Sequence, residues 1–310
     1  MNTLLSFFTK EQKKIEKEFK TGMRALEGSC RALCLEESPS HIKERKIKDL
    51  TEKRADMESF VKKFDFKKSG ELLVGIEREC FITDRNQKII PYANEVLKHL
   101  TDRSRFGYEL SACQLEDRIG PLKIDEIKNG LLRNEKKIGI AEEKLGFRRL
   151  HTEVAPEDMP LDVYPDPTGR YQLITKDMPQ HILSAACRVT GTHIHIGMPD
   201  HETAMRVYNK VIAHVEELCD LGSGSNGERL KIYQIMAPDF QPPPYDSWIT
   251  FYEEAVKKGF VSDPRKCWHL IRISIHGTIE FRMFGTTSEL DRIVGWAKIC
   301  HQLCSKAISV

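Results

Sequence analysis

Two carboxylates at a spacing of two, Glu77 and Glu79, interrupt an otherwise apolar run from Leu72 to Ile82. In an extended strand that spacing puts both acids on one face and Ile76 and Arg78 on the other. Ionised neighbours of this kind repel by about 1 kcal/mol in water and about 4 kcal/mol at the effective dielectric of a protein cleft, so something cationic is expected opposite them. An edge strand with a solvated acidic face would answer the same pattern. Two further stretches repeat it. In Val189–Gly197, His193 and His195 share one strand face while Ile194 and Ile196 take the other. Paired imidazoles at this spacing suit a metal, or two hydrogen-bonded core histidines. In Trp268–Phe284, a hairpin turning at His276-Gly277 puts Thr278, Glu280 and Arg282 on one face and Ile279, Phe281 and Met283 on the other. Three strands, each with an apolar face and a face of Glu, His or Arg, point to a sheet whose polar side lines an active site.

Other candidates lie between these strands. Glu109 and Glu116 are seven apart, so a straight strand would separate them, whereas a helix or a bent strand would bring them together. The run Gly222-Ser-Gly-Ser-Asn-Gly227 matches the dinucleotide fingerprint, but it follows a helical pattern instead of a strand, which excludes that reading. The adjoining Arg229 is a candidate for holding phosphate or carboxylate.

The elements that must carry these residues follow from periodicity. Residues 1–66 are rich in Lys and Glu, with Ile15, Phe19, Met23 and Leu26 on one helical face and a break at Pro39, and read as a helical hairpin. Residues 67–310 form the second region. Helices are expected over Asn94–Leu100, Asp125–Leu145, Glu202–Asp220, Trp248–Lys258 and Glu289–Ala307, and a proline-punctuated loop from Pro156 to Pro167 leads into Gly169–Gln172 and is long enough to border a site. The expected fold is α+β: a curved, mostly antiparallel sheet with helices on its outer side.

The 48 Lys and Arg nearly balance the 46 Asp and Glu, so no global field gathers nucleic acid or membrane, and a small-molecule partner is expected. The start reads neither as a signal peptide nor as a membrane span. Nine cysteines without a Cys-x-x-Cys indicate reduced thiols in a cytoplasmic protein. Cys300 and Cys304, four apart, fit buried apolar thiols better than a metal clip.

The order of these pieces resembles the glutamate–cysteine ligase and carboxylate–amine ligase family, whose members share a glutamine-synthetase-like catalytic domain. The resemblance covers about residues 70–305 and is carried by Gly75–Glu79, Glu109 with Gln114 and Glu116, Arg170-Tyr171, Gly191–Gly197, Ser225 with Arg229, and Gly277–Arg282. It implies that Glu77, Glu79, Glu109, Glu116, His193 and Glu280 coordinate two or three Mg²⁺ ions around the phosphates of ATP. It further implies catalytic roles for Arg282, Arg229 and His195, with Arg170, Tyr171 and Arg272 contacting phosphate or the substrate carboxylate. The implied reaction joins a carboxylate, most often that of glutamate, to cysteine, another amino acid or a small amine through an acyl phosphate, and is compatible with a homo-oligomer. Gly285 stands where relatives often carry an acid, the segment from His195 to Glu280 is shorter than in familiar bacterial members, and the N-terminal hairpin has no matching counterpart. Two other readings stay open: a metal-dependent hydrolase activating water with His193, His195 and the acids, and a catalytically silent scaffold acting through the hairpin.

Overall fold

The structure, a computed structural model, describes residues 51–309. The chain separates into two compact units, Met1–Lys53 and Arg54–Val310. The expected hairpin break and first helix lie outside the described residues. Among the described residues no helix is long and apolar enough to cross a membrane.

One seven-stranded sheet, antiparallel at every pairing, organises the second unit. Its strands are β1 (Val74–Thr83), β2 (Phe106–Tyr108), β3 (Gln114–Leu122), β4 (Arg148–Leu150), β5 (Gly191–Gly197), β6 (Ile271–Ser274) and β7 (Thr278–Gly285), in the order β2-β3-β1-β5-β7-β6. β1 pairs with β3 along one side and with β5 and then β4 along the other, so the acidic strand is central and the edge-strand alternative does not hold. The expected strands and the α+β class are borne out.

The apolar side chains of these strands fill one face. Ile76, Ile194, Ile196, Ile271, Ile273, Ile279, Phe281 and Met283 are buried in the main core, together with residues of α5 (His201–Val211) and α9 (Leu290–Ile308). Each contributes about 1.5–3 kcal/mol of transfer free energy. Cys300 and Cys304 are buried free thiols in the same cluster, as expected. The span expected as one helix from Glu202 is broken: α5 ends in a 3₁₀ turn, Ile212–His214, before α6 (Val215–Gly222).

Arg78 alternates away from Glu77 and Glu79, as expected, yet it is fully buried. Its guanidinium pairs with Asp117 at 2.8 Å and with Glu135 of α2 (Ile127–Leu145), and Glu135 also accepts from Arg149 at 2.9 Å. This network ties α2 and the residue at the centre of β4 to the back of β1. Removing one member would strand a buried charge, at a cost of about 3–5 kcal/mol.

The boundary drawn at 66/67 from the sequence cuts through packed structure. Phe60 and Phe64 are buried, with ring centroids 5.5 Å (Phe60–Phe251) and 5.3 Å (Phe64–Trp248) from side chains of α8 (Trp248–Lys258). The Asp65 N–H donates to the Ile275 carbonyl at 2.8 Å, and a side chain at Gly277 would collide with the Asp65 backbone. Both rings fall within residues 1–66, which the sequence assigns to the helical extension. A chain beginning at Arg54 is expected to melt cooperatively. One beginning at Lys67 should melt at least about 10 °C lower or precipitate, since each lost core phenylalanine costs about 3–5 kcal/mol. Calorimetry of the two chains checks this, and equal melting temperatures would put the rings outside the core.

Candidate active site

Strand register assembles the polar face. Across β1 and β5, Glu77 stands opposite His193; across β1 and β3, Glu79 stands opposite Glu116; Glu280 of β7 stands between His195 of β5 and Arg272 of β6. Cross-strand neighbours lie about 4.5–5.5 Å apart at Cβ, close enough for their polar ends to share a ligand. Glu109 follows the end of β2, and the chain turns before β3, so the bend brings it to Glu116. Of the two conformations that the sequence left open, the bent one occurs.

The acids and histidines fall into two groups, Glu77 with His195 and Glu280, and Glu79 with Glu109 and Glu116, whose potential ligand atoms lie within 4.8 Å of one another. In the first, His195 Nδ1 sits 2.9 Å from the Thr278 hydroxyl, while the buried Nε2 has no hydrogen-bond partner. That nitrogen lies 3.6 Å from Glu77 Oε2 and 4.0 Å from Glu280 Oε2. A buried ring nitrogen between two carboxylates, with its other nitrogen beside a hydroxyl, fits a cation ligand in its deprotonated form; against burial, Glu280 and Glu77 favour the protonated form while no cation is bound. His193 bridges the groups, with Nδ1 3.3 Å from Glu77 and Nε2 3.7 Å from Glu79. Both imidazoles therefore lie among the carboxylates, and the nitrogen without a hydrogen-bond partner belongs to His195.

Burial pushes the Glu116 carboxyl up to about 7, reinforced by Glu77 and opposed by Arg118. Burial, Glu116 and Glu79 push Glu109 well above the usual carboxylate range. Against the upward pull of burial, His195 and His193 hold Glu77 well below that range, and Arg272 and Arg282 do the same for Glu280. The second group therefore holds protons at neutral pH that a dication would displace. Carboxylate oxygens dominate both groups, the donor set of hard ions such as Mg²⁺ and Mn²⁺.

Four arginines, Arg170, Arg265, Arg272 and Arg282, line a 260 Å³ cleft over these groups together with Tyr171 and Trp268. Arg272 grips Glu280 through two nitrogens at 2.7 and 3.0 Å. Arg282 pairs with the same carboxylate, lies 5.7 Å from the Trp268 ring centroid, and keeps a buried Nε without a partner. Arg170 stacks near Tyr171, at 5.8 Å, on the short helix α3 (Arg170–Thr175), whose backbone Asp166 holds through the Arg170 N–H at 3.0 Å. A 350 Å³ pocket lined by Lys67, Gly70, Gly120 and Gly277 meets this cleft at Glu77 and His195.

Arg229, expected to contact phosphate or carboxylate, is held against the backbone. It is buried at 3% exposure on α7 (Glu228–Met236), and its guanidinium donates to backbone carbonyls of Thr190, Arg282 and Met283. Each of its three nitrogens thus has a backbone carbonyl partner. Sequence reasoning missed Arg265 and Arg118. The first sits in the 3₁₀ turn Pro264–Lys266 beside Asp263, and the second pairs with Glu116 two residues away on the same strand face, a spacing that could have exposed it.

No protein-family model matches the chain. Curated sequences do. A glutamate–cysteine ligase of Natronomonas pharaonis is 27% identical over 266 residues, 77% of this chain and 70% of that protein. A Rhodococcus jostii protein provisionally named glutamate–cysteine ligase 2-3 is 23% identical over 252 residues, 76% of this chain but only 31% of that protein. Over about three quarters of its length the chain is similar to these glutamate–cysteine ligases. Among solved structures, Plasmodium falciparum glutamine synthetase aligns at a TM-score of 0.43 and 12% identity, covering 83% of this chain and 55% of that one, too distant to bear on activity.

Proton displacement from these acids gives a signature. A protonated Glu116 stabilises the metal-free fold fully below the ordinary carboxylate range, and that contribution is lost as pH rises through about 7. A dication replaces the proton. The rise in melting temperature caused by Mn²⁺ or Mg²⁺ should accordingly be several-fold larger near pH 8 than near pH 6. Differential scanning fluorimetry across this range checks it; a shift independent of pH would mean that the carboxylates do not take up the ion.

Proposed function

We propose that the chain is an ATP- and Mg²⁺-dependent ligase joining a carboxylate, taken to be the side chain of glutamate, to an amine through an acyl phosphate. One observation supports this reading above the rest: two carboxylate-rich groups stand side by side on one sheet face, within a cleft that arginines also line. Five acids and nearly as many arginines leave the cleft without the excess positive charge that a triphosphate needs. Bound dications would supply it, neutralising both the acids and the phosphates.

The chain's own residues have distinct parts in this reading. Glu77, His195 and Glu280 would hold one ion and Glu79, Glu109 and Glu116 another, with His193 between them. Arg272 keeps Glu280 fixed. Arg282, already charged and desolvated, offers its unpaired Nε–H to an oxygen of the transferring phosphoryl group without titrating. Arg170 and Arg265 stand at the rim for the carboxylate of the acid substrate. The pocket that meets the cleft at Glu77 and His195 allows a second reactant to approach from another side, so the cleft aligns the two partners as well as stabilising charge. The hydrolase alternative asks for a transition-metal site built on His193 and His195, whereas oxygen donors predominate here.

The substrate carboxylate would attack the γ-phosphorus, releasing ADP; the amine then attacks the acyl carbon and expels orthophosphate. Turnover should yield ADP and phosphate, and hydroxylamine in place of the amine should trap a hydroxamate of the acid. With ¹⁸O-labelled acid, one label per turnover should appear in phosphate. Mass spectrometry of the products checks this. AMP with pyrophosphate, or unlabelled phosphate during amide formation, would contradict the acyl-phosphate route.

A further inference from the structure

Gly191 and Gly285 face each other across β5 and β7, leaving a gap in the side-chain layer. Two buried charged groups fill it. A Cβ at Gly191 would collide with the Arg229 guanidinium, and a Cβ at Gly285 with the Glu153 carboxylate. Glu153, in the segment after β4, accepts from the Gly224 N–H at 2.5 Å, the Ser225 N–H at 3.1 Å and the Ser225 hydroxyl at 2.5 Å. The glycine-rich loop is thus a nest for an anion, and this chain's own carboxylate occupies it. The same Ser225 oxygen accepts from the Arg229 N–H at 3.1 Å.

Arg229 then spans both strands. Its Nε donates to the Thr190 carbonyl at 2.7 Å and its Nη1 to the carbonyls of Arg282 and Met283 at 3.3 and 3.2 Å. The peptide that it holds at Thr190 is followed by the Gly191 N–H, which donates to Glu79 Oε2 at 2.7 Å. Among the described residues Arg229 forms no ion pair, although burying a guanidinium without one is costly. Hydrophobic packing could close the gap at lower cost. What packing would not supply is a planar set of donors that fixes two backbone strands at once.

We propose that Arg229, locked by Glu153 through Ser225, is a positioning residue: it fixes the Gly191 N–H that orients Glu79 and the backbone that carries Arg282, and so sets the metal-binding geometry without touching ligand. This rests on the metal-site reading above. A lysine at 229 keeps the charge and loses the planar reach, and a glutamine at 153 loses one of the two carboxylate acceptors.

The test is titration calorimetry of Mn²⁺ alone into the full chain and its Arg229→Lys and Glu153→Gln variants, each first shown to melt cooperatively. Loss of a group that orients a metal ligand weakens binding about 10- to 100-fold, and that is the effect expected here. Folded variants that bind within two-fold of the unmutated chain would make Arg229 and Glu153 purely structural and overturn the proposal. Should Arg229→Lys not fold, the milder Glu153→Gln decides by the same criterion. Absence of Mn²⁺ binding in the unmutated chain would instead remove the metal-site reading itself.

Discussion

Like charges held together on one sheet face are the constraint on which the structure depends. Glu77, Glu79, Glu109, Glu116 and Glu280 come from three strands and one connection, and register makes them neighbours. Left ionised and unpaired, such a cluster would cost several kcal/mol. The fold offsets this in three ways. Arg272 and Arg282 neutralise Glu280, the two imidazoles lie against Glu77, and burial with neighbouring carboxylates pushes Glu109 and Glu116 toward their neutral forms. Each device is reversible by a dication. A cluster kept for stability would be better replaced by apolar side chains.

The opposite face of the same sheet makes that concentration tolerable. There the strands bury isoleucines and phenylalanines against α5 and α9, and Arg78 with Asp117 and Glu135 fastens α2 beneath β1. A one-residue slip between β1 and either neighbour would move the acids into this core and the isoleucines into the cleft. Register is therefore specified twice, by apolar burial on one side and by ionic pairing on the other.

Much of this was legible because strand alternation is strict. Glu77 with Glu79, His193 with His195 and Glu280 with Arg282 each declare a polar face in the sequence, and the structure puts those faces together. What was hidden depends on long-range contacts. The surroundings of His195 Nε2 are set by Glu77 of β1 and Glu280 of β7, so no local pattern could distinguish it from His193. Arg229 beside a glycine loop has the local look of an anion site, but the anion is Glu153, seventy-six positions away in sequence. Phe60 and Phe64 continue a helical periodicity that begins outside the described residues, and only their packing on Trp248 and Phe251 assigns them to the core.

The most direct measurement is the number of Mn²⁺ ions bound per chain, read by electron paramagnetic resonance during equilibrium dialysis with a non-hydrolysable ATP analogue. At least two ions are expected, with His195→Ala and Glu116→Gln each losing one and retaining the other. A single ion unaffected by either substitution, or tightly held zinc in the purified protein, would contradict the two-group site.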